Sequence, residues 1–149
     1  MSDRQRDGYR MTIEAAQVDL DRVHQWLSEQ SYWAAGRTYE DVARSIKGSV
    51  PYGVFTNTEQ VGFARVVTDG TTFCWICDVF IDQDHRGRGL GTWLIDSIVE
   101  DLSATGVRRF LLATKDAHEV YRKCGFSVLE SVGRYMEIDR RPTEPQPAR

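Results

Sequence analysis

The sequence of 149 residues has few cysteines and prolines, no excess of positive charge and no long hydrophobic run. Its net charge of −3 argues against a nucleic-acid partner, which usually leaves a basic imbalance. Its apolar runs are far too short to span a bilayer, and the polar start lacks the hydrophobic core of a secretory signal. We therefore expect one soluble domain with neither membrane nor nucleic-acid partners.

The three cysteines favour a reduced, cytoplasmic protein. Cys74 and Cys77 have the spacing of a C-x-x-C zinc or redox site, but both fall in a predicted strand. Positions three apart on a strand point to opposite faces, so these thiols cannot share a metal. Cys124 stands alone, which predicts that the thiols pack in the fold and that no metal is bound.

Hydrophobic periodicity predicts an α/β (α+β) fold, a mixed sheet with helices packed on its faces. Asp19 and Thr38 are predicted to cap the first two helices, Gly48 and Gly106 to end helices, and Asp116 to cap a short helix that ends at Lys123. The predicted strands cover residues 8–15, 52–56, 61–68, 72–81, 109–113, 126–129 and 135–138. We expect a single domain over residues 1–139 and a disordered tail at 140–149, where three of the four prolines lie.

A glycine-rich turn joins the strand at 72–81 to an amphipathic helix that begins near Leu90. In Arg86-x-x-Gly89-x-Gly91 the glycines allow positive φ, and the helix start presents unpaired amides. Such a turn suits a phosphate or pyrophosphate, although a plain strand-to-helix turn is the alternative. The sequence contains no P-loop string, and Thr92 occupies the third glycine position of the Rossmann pattern.

Two blocks together resemble the GNAT superfamily of N-acetyltransferases. The run from Arg86 to Gly91 is similar to that family's Q/R-x-x-G-x-G/A motif, and the run from Thr114 to Phe126 is similar to its A-x-x-x-Y-x-x-x-G-F signature. The resemblance covers about residues 10–138 and is weakest before Val61. It implies the GNAT fold, a mixed, mostly antiparallel sheet with helices on both faces.

The resemblance implies acetyl-CoA as the cosubstrate. The family's pyrophosphate site would correspond to main chain of the turn, and the strand before it would pair with the pantetheine arm and polarise the thioester carbonyl. Such a fixed donor is worth about 3–4 kcal/mol in the transition state. The implied cofactor-binding residues are Val79, Phe80, Ile81, Arg86, Gly87, Arg88, Gly89, Leu90, Gly91, Thr92 and Thr114.

The same resemblance implies that Tyr121 is catalytic and assists the departing CoA sulfur. Proton transfer from an unperturbed tyrosine to a thiolate is uphill by roughly 2 kcal/mol, so a hydrogen bond is the simpler role. Where relatives carry a glutamate base, this chain has Trp75 and, approximately, Arg109. Asp78 is the remaining candidate base, unless hydrogen bonds occupy its carboxylate; a water chain is the alternative.

The sequence contains three histidines. His118 shares a helical face with Tyr121 and would contact the cofactor, carry a proton or simply lie at the surface. His24 is expected on a helix surface and His85 in a loop.

Tyr32, Trp33 and Arg37 fall where the family usually covers the acceptor pocket, although an ordinary core cluster is an equal alternative. Arg37 would favour an acceptor that also carries a carboxylate. The resemblance implies an acetyl-CoA-dependent N-acetyltransferase that acts on a primary amine, more often of a small molecule than of a protein, by direct attack in a ternary complex. A non-catalytic CoA-binding module is the alternative function. Homodimers are common among similar proteins, so a second copy of the chain is a candidate partner.

Overall fold

The computed structural model of the chain describes residues 3–143, in which six strands form one open sheet in the order β1-β2-β3-β4-β5-β6. Neighbouring strands are antiparallel except β5 and β6, which are parallel. The strands are β1 (Arg4–Arg6), β2 (Tyr9–Thr12), β3 (Val50–Phe55), β4 (Gln60–Thr68), β5 (Cys74–Ile81) and β6 (Phe110–Leu111), and the α-helices are α1 (Leu20–Gln25), α2 (Tyr39–Lys47), α3 (Leu90–Ala104) and α4 (His118–Lys123). The predicted fold class is confirmed.

One face of the sheet packs on α3. Leu94, Ile95 and Ile98 are fully buried there against Val54 and Val66 of the central strands. These helix positions recur at helical spacing, and each fully buried aliphatic side chain contributes about 1.5–3 kcal/mol. This core fixes the start of α3 at the end of β5.

The opposite face packs on α1 and α2 through an aromatic cluster. Phe63 and Phe80 are register partners on β4 and β5. Both side chains project from the face of the sheet that Val23 and Trp26 cover. The rings of Trp26 and Phe80 are stacked with centroids 5.4 Å apart. Helices therefore cover both faces, as predicted.

A β-bulge interrupts β5 at Asp78. The register between β4 and β5 shifts by one residue between Phe63 and Arg65, and Asp78 has a φ of +54°. An inserted residue in this left-handed conformation reverses the alternation of faces along a strand. Ile76 and Val79 consequently both pack on the α3 side, although they are three residues apart.

The hairpin of β1 and β2 was not predicted. Asp7 and Gly8 both have positive φ, as a two-residue type I′ turn requires, but the polar β1 gives no alternation signal. Arg4 anchors this hairpin because its Nη2 donates to the buried carboxylate of Asp101 on α3 at 2.5 Å. The hydroxyl of Tyr52 donates to the same carboxylate at 2.9 Å, so a charge and a hydroxyl satisfy it together.

The residues predicted to cap or end the first helices and α3 do so in the structure. Side chains of Asp19 and Thr38 accept the backbone N–H groups of Arg22 and Asp41, as N-caps do. Gly48 is the C-cap of α2. After α3, Gly106 has a φ of +105° and its N–H donates to Ser103 O.

Two predicted strands and one predicted cap are wrong. Residues 126–129 and 135–138 form no strand; Val128, Met136 and Ile138 are exposed, so their apolar pattern has no covered face. The predicted strand at 109–113 shrinks to β6. The cap of α4 is Ala117, whose N–H donates to Thr114 Oγ1, and Asp116 caps nothing.

The predicted tail at 140–149 extends beyond the described residues, and residues 140–143 contain neither helix nor strand. None of the helices within residues 3–143 is both long and apolar enough to cross a membrane.

We predict that alkaline pH destabilises this fold. Burial raises the pKa of the Cys74 thiol to about 12. The unfolded chain releases this proton near pH 9, so stability falls as pH rises above that value, by about 1–2 kcal/mol for Cys74 at about pH 10.5. Urea unfolding at about pH 8 and pH 10.5 measures the loss. Cys74→Ala should lower the absolute stability yet flatten the pH dependence, and an unchanged dependence would contradict the assignment.

Candidate functional site

The turn between β5 and α3 presents backbone amides to solvent. Gly87 and Gly89 have φ values of +78° and +76°, and Gly89 is the N-cap of α3 without any side-chain cap. Among residues 3–143, no acceptor receives a hydrogen bond from the N–H groups of residues 87–92. Unpaired amides at the positive end of a 15-residue helix form an anion site. The predicted phosphate-binding residues thus lie together, and the buried side chain of Leu90 leaves only its main chain available.

Three arginines surround this turn. Arg86 Nε donates to Ile81 O at 2.9 Å, and Arg88 Nη1 donates to the hydroxyl of Tyr9 at 3.1 Å. Arg6 was missed by the sequence analysis, because only the β1–β2 hairpin brings it here: its Nη1 lies 3.5 Å from Gly89 O. A side chain at Gly89 would place its Cβ 3.3 Å from Arg6 Nη2.

His85 lies in the predicted loop and joins this cluster. Its Nδ1 is 2.8 Å from the hydroxyl of Tyr9, so Tyr9 links His85 to Arg88. His24 is half-buried instead of lying free on a helix surface: its Nε2 is 3.0 Å from Arg37 O. Within residues 3–143, no group of three His, Cys, Asp or Glu side chains could hold a metal ion.

The outer edge of β5 is open beyond Trp75. Strand β6 pairs with β5 only at Cys74 and Trp75, and no other strand of the described region pairs there. Asp82 N donates to Val61 O of β4, and successive amides along a strand point to opposite edges. The N–H groups of Ile81 and Val79 therefore point towards the open edge.

An open groove of about 790 Å³ borders β6 and α4, and its lining includes Thr114, His118 and Tyr121. Tyr121 is half-buried, and its ring contacts that of Phe126 at 6.0 Å. Burial raises the pKa of Tyr121 to about 12, with further contributions from Tyr32, Cys124 and Asp116.

The hydroxyl of Tyr121 has no hydrogen-bond partner in the described chain. It is also not sealed off, because the unpaired buried side-chain atoms in this part of the structure are the Nε atoms of Arg4 and Arg22. A protonated phenol of this kind can donate one hydrogen bond to a ligand in the groove.

The thiol of Cys124 and the imidazole of His118 also border this groove. Burial raises the pKa of the Cys124 thiol to about 11, and its Sγ points to Thr92 O at 3.7 Å. His118 is exposed at the groove rim. The positions where relatives carry glutamate offer no carboxylate, since Trp75 is half-buried in β5 and Arg109 stacks over Tyr135 at 5.1 Å.

The buried carboxylate of Asp78 is the centre of a second cluster. Its Oδ1 accepts from Trp33 Nε1 at 3.0 Å, and its Oδ2 accepts from Arg37 Nη1 at 2.9 Å and Arg65 Nε at 2.8 Å. The sequence left two roles open for Asp78, a candidate base or a carboxylate occupied by hydrogen bonds. The structure displays the second, because three donors surround a side chain that is 1% exposed. Both oxygens of this carboxylate are therefore engaged by donors.

The predicted acceptor residues lie around Asp78. The rings of Tyr32 and Trp33 meet edge to face at 5.0 Å, and the hydroxyl of Tyr32 accepts the N–H of Lys115 from beyond β6. Arg65 is a functional candidate that the sequence analysis missed. A charged residue inside the apolar run of β4 was the available signal.

Comparison with known proteins gives a consistent result. Residues 20–126 match the family model described as "Acetyltransferase (GNAT) family". A protein of Gibberella zeae named as a candidate acetyltransferase is 28% identical over 138 residues, which span 79% of this chain and 78% of that protein.

The crystal structure of a candidate GNAT acetyltransferase from Xanthomonas campestris pv. campestris has a TM-score of 0.85 at 34% identity, and covers 91% of this chain and 95% of that chain. The crystal structure of glucosamine-6-phosphate N-acetyltransferase from Arabidopsis thaliana shares the fold alone, with a TM-score of 0.63 at 15% identity over 91% of this chain and 99% of that chain.

We predict that Asp78 stabilises the fold through its three donors. Asp78→Ala should lower the free energy of unfolding by about 2–3 kcal/mol, because both arginines lose a buried counter-ion. Asp78→Asn should cost less, since asparagine tolerates positive φ and keeps an acceptor. The exposed Asp21→Ala is the control and should change stability by about 0.5 kcal/mol at most. Unfolding of Asp78→Ala at the same urea concentration as the parent chain would contradict this role.

Proposed function

The chain belongs to the acetyltransferase (GNAT) family, and on that premise we propose that it transfers the acetyl group of acetyl-CoA to a primary amine of a small molecule by direct attack in a ternary complex. Acetyl-CoA supplies an acyl group activated as a thioester. The observation that carries the proposal is the set of unpaired amides at residues 87–92, which suits a pyrophosphate.

The proposed binding residues fit the charge of CoA. Amides of the turn would hold the pyrophosphate, with Arg86 and Arg88 beside it, as the sequence predicts. Arg6 adds a third positive charge at the first turn of α3. The chain carries a net charge of −3, so this positive cluster is a local feature that attracts a polyanion.

The open edge of β5 supplies the proposed oxyanion donor. The N–H groups of Val79 and Ile81 point away from β4 and have no strand partner there among the described residues. A fixed N–H aimed at the thioester carbonyl would stabilise the negative charge that develops on its oxygen, by about 3–4 kcal/mol. Phe80 contributes its side chain to the aromatic core instead.

Tyr121 would donate a hydrogen bond to the departing sulfur. With its pKa raised to about 12, complete proton transfer to a thiolate is uphill by about 5 kcal/mol, which is more than for an unperturbed tyrosine. The hydrogen bond itself requires no ionisation of the phenol, so it persists throughout the neutral and mildly alkaline range.

The one carboxylate that the sequence offered as the base, Asp78, is already engaged by three donors. A lysine-like amine costs about 4.6 kcal/mol to deprotonate at pH 7. Because Asp78 accepts from Trp33, Arg37 and Arg65, we assign it a structural role and propose that water removes the amine proton.

A non-catalytic CoA-binding module is the second candidate function. The engagement of Asp78 by three donors favours it, whereas the hydroxyl of Tyr121, which is unpaired within residues 3–143, favours turnover. Incubation of the protein with acetyl-CoA and a panel of amines, followed by assay of free thiol, separates the two. Thiol release that depends on an amine supports the enzyme, and tight CoA binding without any release supports the module.

The proposed setting is the cytoplasm. All three cysteines are free thiols, and the Cys77 thiol is kept protonated by burial, which raises its pKa to about 11. Free thiols are typical of reducing compartments.

We predict that Tyr121→Phe lowers kcat by about 10- to 100-fold, because the sulfur loses its hydrogen-bond donor. Stopped assays of thiol release measure kcat, and calorimetry should give an acetyl-CoA dissociation constant close to that of the parent chain. The matched control is Tyr135→Phe at the exposed rim of the same groove, which should leave kcat unchanged. An unchanged kcat in Tyr121→Phe would remove Tyr121 from the mechanism.

We predict that Gly89→Val abolishes measurable binding of acetyl-CoA. The new side chain would have to adopt positive φ, and its Cβ would crowd Arg6 at the amides that hold the pyrophosphate. Gly70→Val imposes the same backbone strain at a φ of +74° in a distant hairpin without any neighbour within 4 Å. Calorimetry should detect tight binding only in the Gly70 variant, and retained affinity in Gly89→Val would refute the phosphate site.

A further inference from the structure

We propose that the acceptor amine also carries an anionic group, a carboxylate or a phosphate, and that Arg37 and Arg65 bind this group beside Asp78. The inference rests on the proposed function and names the class of acceptor. It adds Arg65, which lies on β4, to the acceptor site.

The charges around Asp78 do not balance. Arg37 Nη1 and Arg65 Nε donate to the same oxygen, Oδ2 of Asp78, at 2.9 and 2.8 Å. The indole of Trp33 occupies the other oxygen. One carboxylate therefore faces two guanidinium groups, and the cluster retains one net positive charge.

The remaining donors of both arginines are unused. Nε and Nη2 of Arg37 and both Nη atoms of Arg65 have no acceptor within residues 3–143. None of them is sealed from solvent, since the buried unpaired side-chain nitrogens in that region belong to Arg4 and Arg22. The side chains of Arg37 and Arg65 are only 26% and 16% exposed. Partly buried guanidinium donors that open onto solvent suit a carboxylate or phosphate ligand.

The position of this cluster relates it to acetyl transfer. Asp78 immediately precedes Val79, whose N–H lies on the open edge proposed to polarise the thioester. A strand advances about 3.3 Å per residue, so the anion site and the reacting carbon would be separated by only a few bonds of a small acceptor. The ring pair of Tyr32 and Trp33 forms the adjoining wall.

Further positive charge lies on the same wall. The ammonium group of Lys115 is 5.3 Å from the centroid of the Tyr32 ring. An acceptor with several ammonium groups and no anion would meet the like charges of Arg37 and Arg65, whereas an amino acid or a phosphorylated amine would meet opposite ones.

Matched pairs of acceptors test the inference. We would compare α-amino acids with their α-carboxamides, and phosphoethanolamine with ethanolamine, by following thiol release with acetyl-CoA. At least one anionic member should exceed its neutral partner by tenfold or more in kcat/KM. The amino-acid pairs report on a carboxylate and the ethanolamine pair reports on a phosphate.

Variants identify the residues responsible. Arg65→Gln should reduce the anionic-to-neutral ratio towards one, and Arg65→Lys should retain part of it. Arg44→Gln removes the same charge from an exposed position on α2 and should leave the ratio unchanged. Thermal unfolding and the acetyl-CoA dissociation constant confirm that each variant is folded, and Arg37→Gln replaces Arg65→Gln if that protein does not fold.

The outcomes separate this inference from the proposed function. Equal acetylation of neutral and anionic members, or a ratio unaffected by Arg65→Gln, overturns the anion site and leaves the N-acetyltransferase intact. Binding of acetyl-CoA without acetylation of any member overturns both. A ratio of tenfold or more that collapses in Arg65→Gln and survives in Arg44→Gln establishes the site.

Discussion

The left-handed backbone of Asp78 inside β5 is the constraint on which the candidate site depends. The bulge shifts the alternation of side chains between the two faces of the sheet by one residue. Val79 therefore packs on the α3 side while the carboxylate of Asp78 stays buried. A buried carboxylate must be paired, and Trp33 and Arg37 from the segment between α1 and α2, together with Arg65 from β4, meet that need. One local departure from regular strand geometry thereby positions both the open edge of β5 and the cluster around Asp78 beside it.

The features read correctly from the sequence are those that depend on a few neighbouring residues. The glycines of the turn, the caps Asp19 and Thr38, and the amphipathic α3 all follow from local chemistry. The shared neighbourhood of Tyr32, Trp33 and Arg37 followed from the family resemblance, and the structure adds that Asp78 joins two of them directly.

The missed features depend on contacts between distant segments. Arg6 lies at the turn only because the hairpin of β1 and β2 adds to the sheet, and its polar residues carry no periodic signal. Arg65 could be noticed as a charge in an apolar strand. Its partner, Asp78, lies 13 residues away, and the sequence does not predict the bulge that brings the two side chains together. The strands predicted at 126–129 and 135–138 fail for the opposite reason, since alternation specifies a strand only where another segment covers one face.

The ion pair between Arg4 and Asp101 couples the stability of the β1–β2 hairpin to that of α3. The same hairpin contacts the turn through Arg6, and through Tyr9 to Arg88. A ligand that orders the turn must, by linkage, also suppress local opening of the hairpin. Loosening of the hairpin must weaken the binding affinity of that ligand by the same factor. Occupancy of the proposed phosphate site would thus affect a segment more than 80 residues away in the chain.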